Sequence, residues 1–107
     1  MHRLVIIESP YAGDIKRNKK YARRCMRDSL NRGEAPFVGH LLYTQVLDDK
    51  RLAERTTGME CGIAWCERAD ATAVYVDYDI SRGMKTGIRM AREFGLPVEY
   101  RTIGVNK

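Results

Sequence analysis

Long apolar runs are missing from this 107-residue chain; nothing in it approaches the roughly 20 residues that a membrane helix needs. The opening Met-His-Arg is followed by only four apolar residues, too short a core for a signal peptide, so a cytoplasmic protein without membrane contact is expected. Cysteine is sparse. Cys25, Cys61 and Cys66 show no Cys-x-x-Cys spacing, which speaks against zinc or disulfide frameworks and for buried thiols. Histidine is sparser still: His2 and His40 stand far apart, a poor basis for a metal site, and neither a metal nor a cofactor is expected. Internal repeats and low-complexity linkers are lacking too, so residues 1–107 should form a single domain. What is present, 44% hydrophobic and 31% charged residues, suits an ordinary globular core and excludes a disordered or collagenous chain.

Charge is unevenly spread. The formal net charge is +5, and Lys16, Arg17, Lys19, Lys20, Arg23, Arg24 and Arg27 crowd one segment while the remainder is nearly balanced. Such a cluster can follow a nucleic-acid backbone, help hold an anionic small molecule, or form a solvated helix face. No helix-turn-helix, zinc finger or aromatic strand motif accompanies it, so nucleic acid is the weakest of these readings.

In chain order, Leu4-Val5-Ile6-Ile7 reads as a central strand covered on both faces. A turn-rich loop over residues 8–14 follows, with Asp14 a candidate N-cap. Residues 15–31 carry an amphipathic helical pattern closed by Gly33. Residues 35–39 read as a second strand with Pro36 near its start, 48–55 as a loop or short helix, and 58–68 as a helix. A third strand is expected over 72–76, a helix over 84–94 stopped by Gly95 and Pro97, and an alternating edge strand over 98–103. This order predicts an α/β fold: a small Rossmann-like or flavodoxin-like three-layer sandwich with a four-stranded, or five-stranded, parallel sheet.

Ligands in such sheets sit beyond the carboxyl ends of the strands, where strand order reverses. The loops there carry hydroxyls at Ser9 and Ser81, rings at Tyr11 and Tyr43, the His40 imidazole, and carboxylates at Asp77 and Asp79. The stretch around Ser81, Arg82, Gly83 and Met84 opens a helix, so its backbone N–H groups and the helix dipole favour an anion such as a ribose phosphate. Each group also has a plainer reading: Ser9 can cap a turn, Tyr11 can cover a core edge, His40 can pack a loop, and residues 81–84 can simply connect a strand to a helix.

The ordered set Ser9-Pro10-Tyr11, Pro36 with His40-Leu41-Leu42, Gly58-x-x-x-Gly62, Ala69-Asp70 and Ser81-x-Gly83-Met84 resembles the nucleoside 2-deoxyribosyltransferase-like superfamily, and most of all its short bacterial and bacteriophage members. The resemblance implies a Rossmann-like fold, cleavage or exchange of N-glycosidic bonds, and homo-oligomers whose subunits complete one another's sites. It implies that Ser9, Pro10 and Tyr11 line a sugar and base pocket and that Ser81, Gly83 and Met84 hold a 5′-phosphate.

The chain departs from the superfamily at both acids. The nucleophilic glutamate, six residues after the serine, is replaced by Gly87, and the second acid, eight residues before Asp70, by Gly62. A glycine can neither attack an anomeric carbon nor protonate a leaving base. The expected function is therefore binding without cleavage of a nucleotide or ADP-ribose-type molecule, with Gly87 enlarging the pocket. One version is a viral protein that sequesters a nucleotide immune signal in the host cytoplasm. The alternative is an N-glycosidase or deoxyribosyltransferase with displaced carboxylates, Glu60 or Asp79 being the candidates, and the third is nucleic-acid binding through the basic helix.

Overall fold

A computed structural model describes residues 2–105. Four parallel strands, β1 (Leu4–Glu8), β2 (Ala35–Phe37), β3 (Ala71–Tyr75) and β4 (Val98–Arg101), form one sheet in the order β2-β1-β3-β4. Leu4 lies beside Ala35 on one flank of β1, and Val5 and Ile7 lie beside Ala71 and Ala73 on the other. The two central strands are almost wholly apolar because helices cover both of their faces. The α/β sandwich expected from the sequence is thus present, with four strands among the described residues.

The helices are α1 (Ile15–Asn31), the short α2 (Gly39–Leu42), which runs into a 3₁₀ turn at Tyr43–Gln45, α3 (Leu52–Cys66) and α4 (Arg82–Glu93). None of them is long and apolar enough to cross a membrane. Asp14 caps α1 as expected, accepting the Arg17 amide at 3.1 Å, and Gly33, with φ +82°, takes the left-handed turn after its end. Tyr21, Ala22 and Cys25 of α1 pack on Val5, Ile7, Ala73 and Tyr75. Met84 and Ile88 of α4 pack on Val74, with Val76, Ile80 and Val98 around them.

Several boundaries differ from expectation: β3 and α4 begin one and two residues early, and three differences change what an element does. The second strand stops at Phe37, and Gly39 and His40 open α2 instead. Helix α3 begins at Leu52, six residues before Gly58, with Glu54 reaching back to accept the Asp48 amide at 2.9 Å. Little of α3 is buried, so no apolar stripe marks where it starts. The last strand ends at Arg101, and residues 102–105 turn back over the α1 face, where Ile103 and Val105 join the core.

A helix is about 10 Å wide and strands are about 4.8 Å apart, so α1 alone cannot cover four strands. Two polar assemblies complete that face. In one, Arg101 donates a bidentate pair to Glu34 at 2.8 and 2.7 Å and a third bond to Glu99 at 2.9 Å, while Ser29 donates to Glu34 at 2.7 Å. In the other, buried Asp77 accepts the Tyr21 hydroxyl at 2.7 Å and the amides of Ile103, Gly104 and Val105 at 2.8 to 3.1 Å. Burial would raise the Asp77 carboxyl, but the hydrogen bonds from Tyr21 and the tail amides hold it below the ordinary value. Asp77, expected among the carboxylates offered to a ligand, is instead a tie between β3, α1 and the tail.

Replacing Asp77 by Asn should therefore destabilise the fold by about 3 kcal/mol, since charge-assisted bonds are lost and buried donors are left unmatched. Urea denaturation would measure it. A loss below 1 kcal/mol would contradict this role.

Candidate functional site

The strand order reverses between β1 and β3, so the crevice at their carboxyl ends is where this topology places a ligand. β1 delivers Glu8, Ser9 and Pro10 to that edge. Ser9 is buried, and its hydroxyl lies 2.9 Å from Nε2 of His40, which α2 brings in from the end of β2. The Tyr11 ring is tilted at 42° to the His40 ring, with centroids 5.8 Å apart. Buried Asn18 holds the loop in place by donating to the Tyr11 and Ala12 carbonyls at 2.9 and 3.1 Å. Two of the three expected loops, those of Ser9 and His40, thus meet directly.

The third loop reaches the same edge through α1. The Arg17 guanidinium sits 4.1 Å above the Tyr78 ring, and Tyr78 meets Tyr21 edge-on at 4.7 Å. Asp79 follows on this loop and is exposed. Ser81 is the N-cap of α4: its hydroxyl oxygen accepts the Met84 amide at 3.2 Å, and its own amide points at the Met84 sulfur at 3.4 Å. Met84 is therefore not free to contact a ligand; its amide is taken and its side chain is core. Arg82 and Gly83 remain exposed in the first turn, where helix amides have no internal acceptor.

One turn after Gly83, on the same stripe of α4, stands Gly87. The space beside it is not an open pocket. A methyl group added at Gly87 would fall inside the carboxylate of Glu8, which reaches across from β1 to fill the notch. Gly62, on α3, faces open space, and Glu60 is exposed on the same helix. Two open grooves lie away from this cluster. One, of about 520 Å³, runs beside α4 and β4 and is lined by Ile80, Lys85, Arg89, Arg92 and Tyr100. The other, of about 540 Å³, runs along α1 and is lined by Lys20, Arg23, Arg24, Arg27 and Ile103. The single hollow enclosed by three loop tips that the sequence led us to expect is neither of these.

Residues 3–101 match the family described as Domain of unknown function (DUF7768). The chain belongs to that family. No curated protein matches it. Among solved structures, this DUF7768 domain is similar to the 2-deoxyribosyltransferase from the psychrotolerant bacterium Bacillus psychrosaccharolyticus, with a TM-score of 0.68 and 17% identity over 92% of this chain and 72% of that one. At that identity the likeness establishes a shared fold.

Glu8 is the residue that sequence reasoning missed in the DUF7768 domain. It closes an apolar run and reads as the polar end of a strand; only the sheet brings it to Gly87. A glutamate at a switch-point strand end, with a glycine inside a helix that otherwise carries side chains, is the signal that could have exposed it. The residue is half-buried, its carboxyl oxygens keep some contact with solvent, and among the described residues it has no hydrogen-bond or ion-pair partner. Burial pushes it up to about 8. Burial also pushes His40 down to about 4, against a weaker upward pull from Asp49. Near neutral pH both groups are thus uncharged, and the Ser9–His40 contact joins a hydroxyl to a neutral imidazole.

The two shifts have opposite linkage. Glu8, raised from 4.5, contributes stability that is whole below 4.5 and lost as pH rises through about 8. His40, lowered from 6.5, contributes stability that is present above 6.5 and lost as pH falls through about 4. Between pH 4.5 and 6.5 the two slopes oppose each other, and between 6.5 and 8 only Glu8 acts. Unfolding free energy should therefore fall by about 1 to 2 kcal/mol from pH 6.5 to 8.5, and Glu8→Gln should remove that fall. Denaturant titrations at the two pH values check both parts; equal slopes in the two proteins would contradict the assignment.

Proposed function

We propose that this domain binds a nucleoside-class small molecule, a nucleotide or ADP-ribose-type compound, at the carboxyl ends of β1 and β3. The observation that carries the reading is the Ser9–His40 pair at the switch point of a fold shared with a 2-deoxyribosyltransferase. A hydroxyl and a neutral imidazole offer both a donor and an acceptor to sugar hydroxyls or a base edge. Pro10 and Tyr11 form the adjoining wall, and Asp79, exposed on the loop that leads into α4, would accept from a sugar hydroxyl. A phosphate would lie against Arg82 and the amides of the first turn of α4, with the Ser81 hydroxyl hydrogen still available to it while its oxygen caps the helix.

Binding without cleavage, including sequestration of a nucleotide signal by a viral protein, draws its support from the glycines at 62 and 87. The carboxylate beside Gly87 favours the second reading, an N-glycosidic enzyme with a displaced acid, and it moves the candidate acid from Glu60 and Asp79 to Glu8. A homo-oligomer fits both readings. Val46 and Leu52 are 84% and 79% exposed and Met59 is also exposed, an apolar stretch that a second subunit would cover.

Equilibrium dialysis against nucleosides and their 5′-monophosphates tests the site. Ser9→Ala and His40→Ala should each weaken binding about 5-fold to 10-fold, the scale of one net hydrogen bond, for both ligand types. Ser81→Ala should erase preference for the monophosphate over the nucleoside, besides costing about 1 kcal/mol of helix capping. Unaltered affinity in all three variants would remove the site from this edge. Sedimentation should show an oligomer that Leu52→Asp reduces to a smaller species; a wild-type monomer would end the subunit proposal.

A further inference from the structure

We propose that Glu8, seated in the notch left by Gly87, is the acid that cleaves an N-glycosidic bond of the bound compound. This rests on the binding reading above and gives it a reaction. Three observations converge on the same side chain. It stands at the carboxyl end of a central strand, beside the point where strand order reverses. Its carboxyl occupies the place that a β-carbon at position 87 would take, and glycine inside a helix costs stability that alanine would have spared. It also differs from the buried carboxylates Asp77 and Glu34. Asp77 is held by a hydroxyl and three amides, and Glu34 by a bidentate guanidinium and a serine, whereas Glu8 has no such partner among the described residues. Its half-buried carboxyl ties no two elements of the fold together by a hydrogen bond and keeps an accessible edge, as a group that serves a ligand requires.

The chemistry follows from the protonated form. No charged side chain acts on Glu8; burial alone keeps its proton near neutral pH, and the Cys66 thiol of α3, the titratable group that feels it, is itself raised and uncharged there. Glu8 gives that proton to the leaving nitrogen as the C1′–N bond breaks, and the electron pair of that bond stays with the base. A water oxygen adds to C1′ and the water gives up a proton to the Glu8 carboxylate, which regenerates the acid. One water is consumed, and a free base and a sugar hydroxyl are released.

The experiment uses the full chain with 2′-deoxyadenosine, thymidine and their 5′-monophosphates, following free base by chromatography from pH 6 to 9 and binding by equilibrium dialysis. Wild-type protein should release base, and its rate should fall above pH 8 as the acid loses its proton. Glu8→Gln should lower the rate by at least about 100-fold while affinity stays within about 3-fold. Gly87→Ala, which expels the carboxyl from its notch, should lower it similarly. Should either variant fold poorly, the wild-type pH profile still decides: a rate that rises through pH 8 overturns the proposal. Binding without release of base, or a Glu8→Gln rate equal to wild type, overturns it and leaves the binding reading intact. Absence of binding to every probe overturns both.

Discussion

The carboxylate of Glu8 on β1 fills the space beside Gly87 on α4, and the candidate site in this domain is built around that contact. Glu8 and a β-carbon at position 87 cannot both occupy the space between β1 and α4. The two residues are therefore one structural decision made at two places in the chain. The carboxyl group that fills the gap loses part of its contact with water and gains no hydrogen-bond donor among the described residues. Such a group resolves the conflict by keeping its proton, which is why its titration moves far above that of an ordinary glutamate.

The rest of the fold handles buried charge in the opposite way. Around Arg101 every acid meets a donor: Glu34 receives two guanidinium bonds and a serine, Glu99 receives Arg3 at 2.7 Å, and Tyr75 passes its proton toward Asp28 at 2.7 Å. This network lies on the face covered by α1 and by Leu41 of the short α2, so polar side chains do there what a second long helix would do elsewhere. Coulomb attraction in an enclosed pair offsets desolvation only when geometry is good, and the bidentate Arg101–Glu34 contact meets that condition. Among the described residues the buried acids Glu34 and Asp77 hold elements together, whereas Glu8 stands without a hydrogen-bond partner at the strand end beside the switch point.

Much of this was legible in the sequence. The apolar runs at residues 4–7 and 72–76, the Asp14 cap, the Gly33 turn, and the Gly95 and Pro97 stop are local signals, and local signals survive folding. The cap at Ser81 was visible as the start of a helix, but the depth to which Met84 is buried was not, because the same residue can face a ligand or a core depending on how the helix lies. The start of α3 was missed since a mostly exposed helix has no apolar period to read. Gly87 was read as a missing acid that enlarges a ligand pocket, whereas the space beside it is taken by Glu8. That the absence of a side chain there makes room for a neighbour depends on the lateral order of strands, which no window along the chain contains. Asp77 was misassigned for a similar reason, as its donors come from residues that return to it after a full βαβ excursion.

Those donors carry one further implication. The family match closes at residue 101, yet the amides of residues 103–105 quench the buried Asp77 charge, and two of their side chains cover the α1 face. A polypeptide trimmed to the matched span would keep every strand and helix and still strand an anion in an apolar layer. The working unit of this domain is therefore longer than the run of residues by which it is recognised.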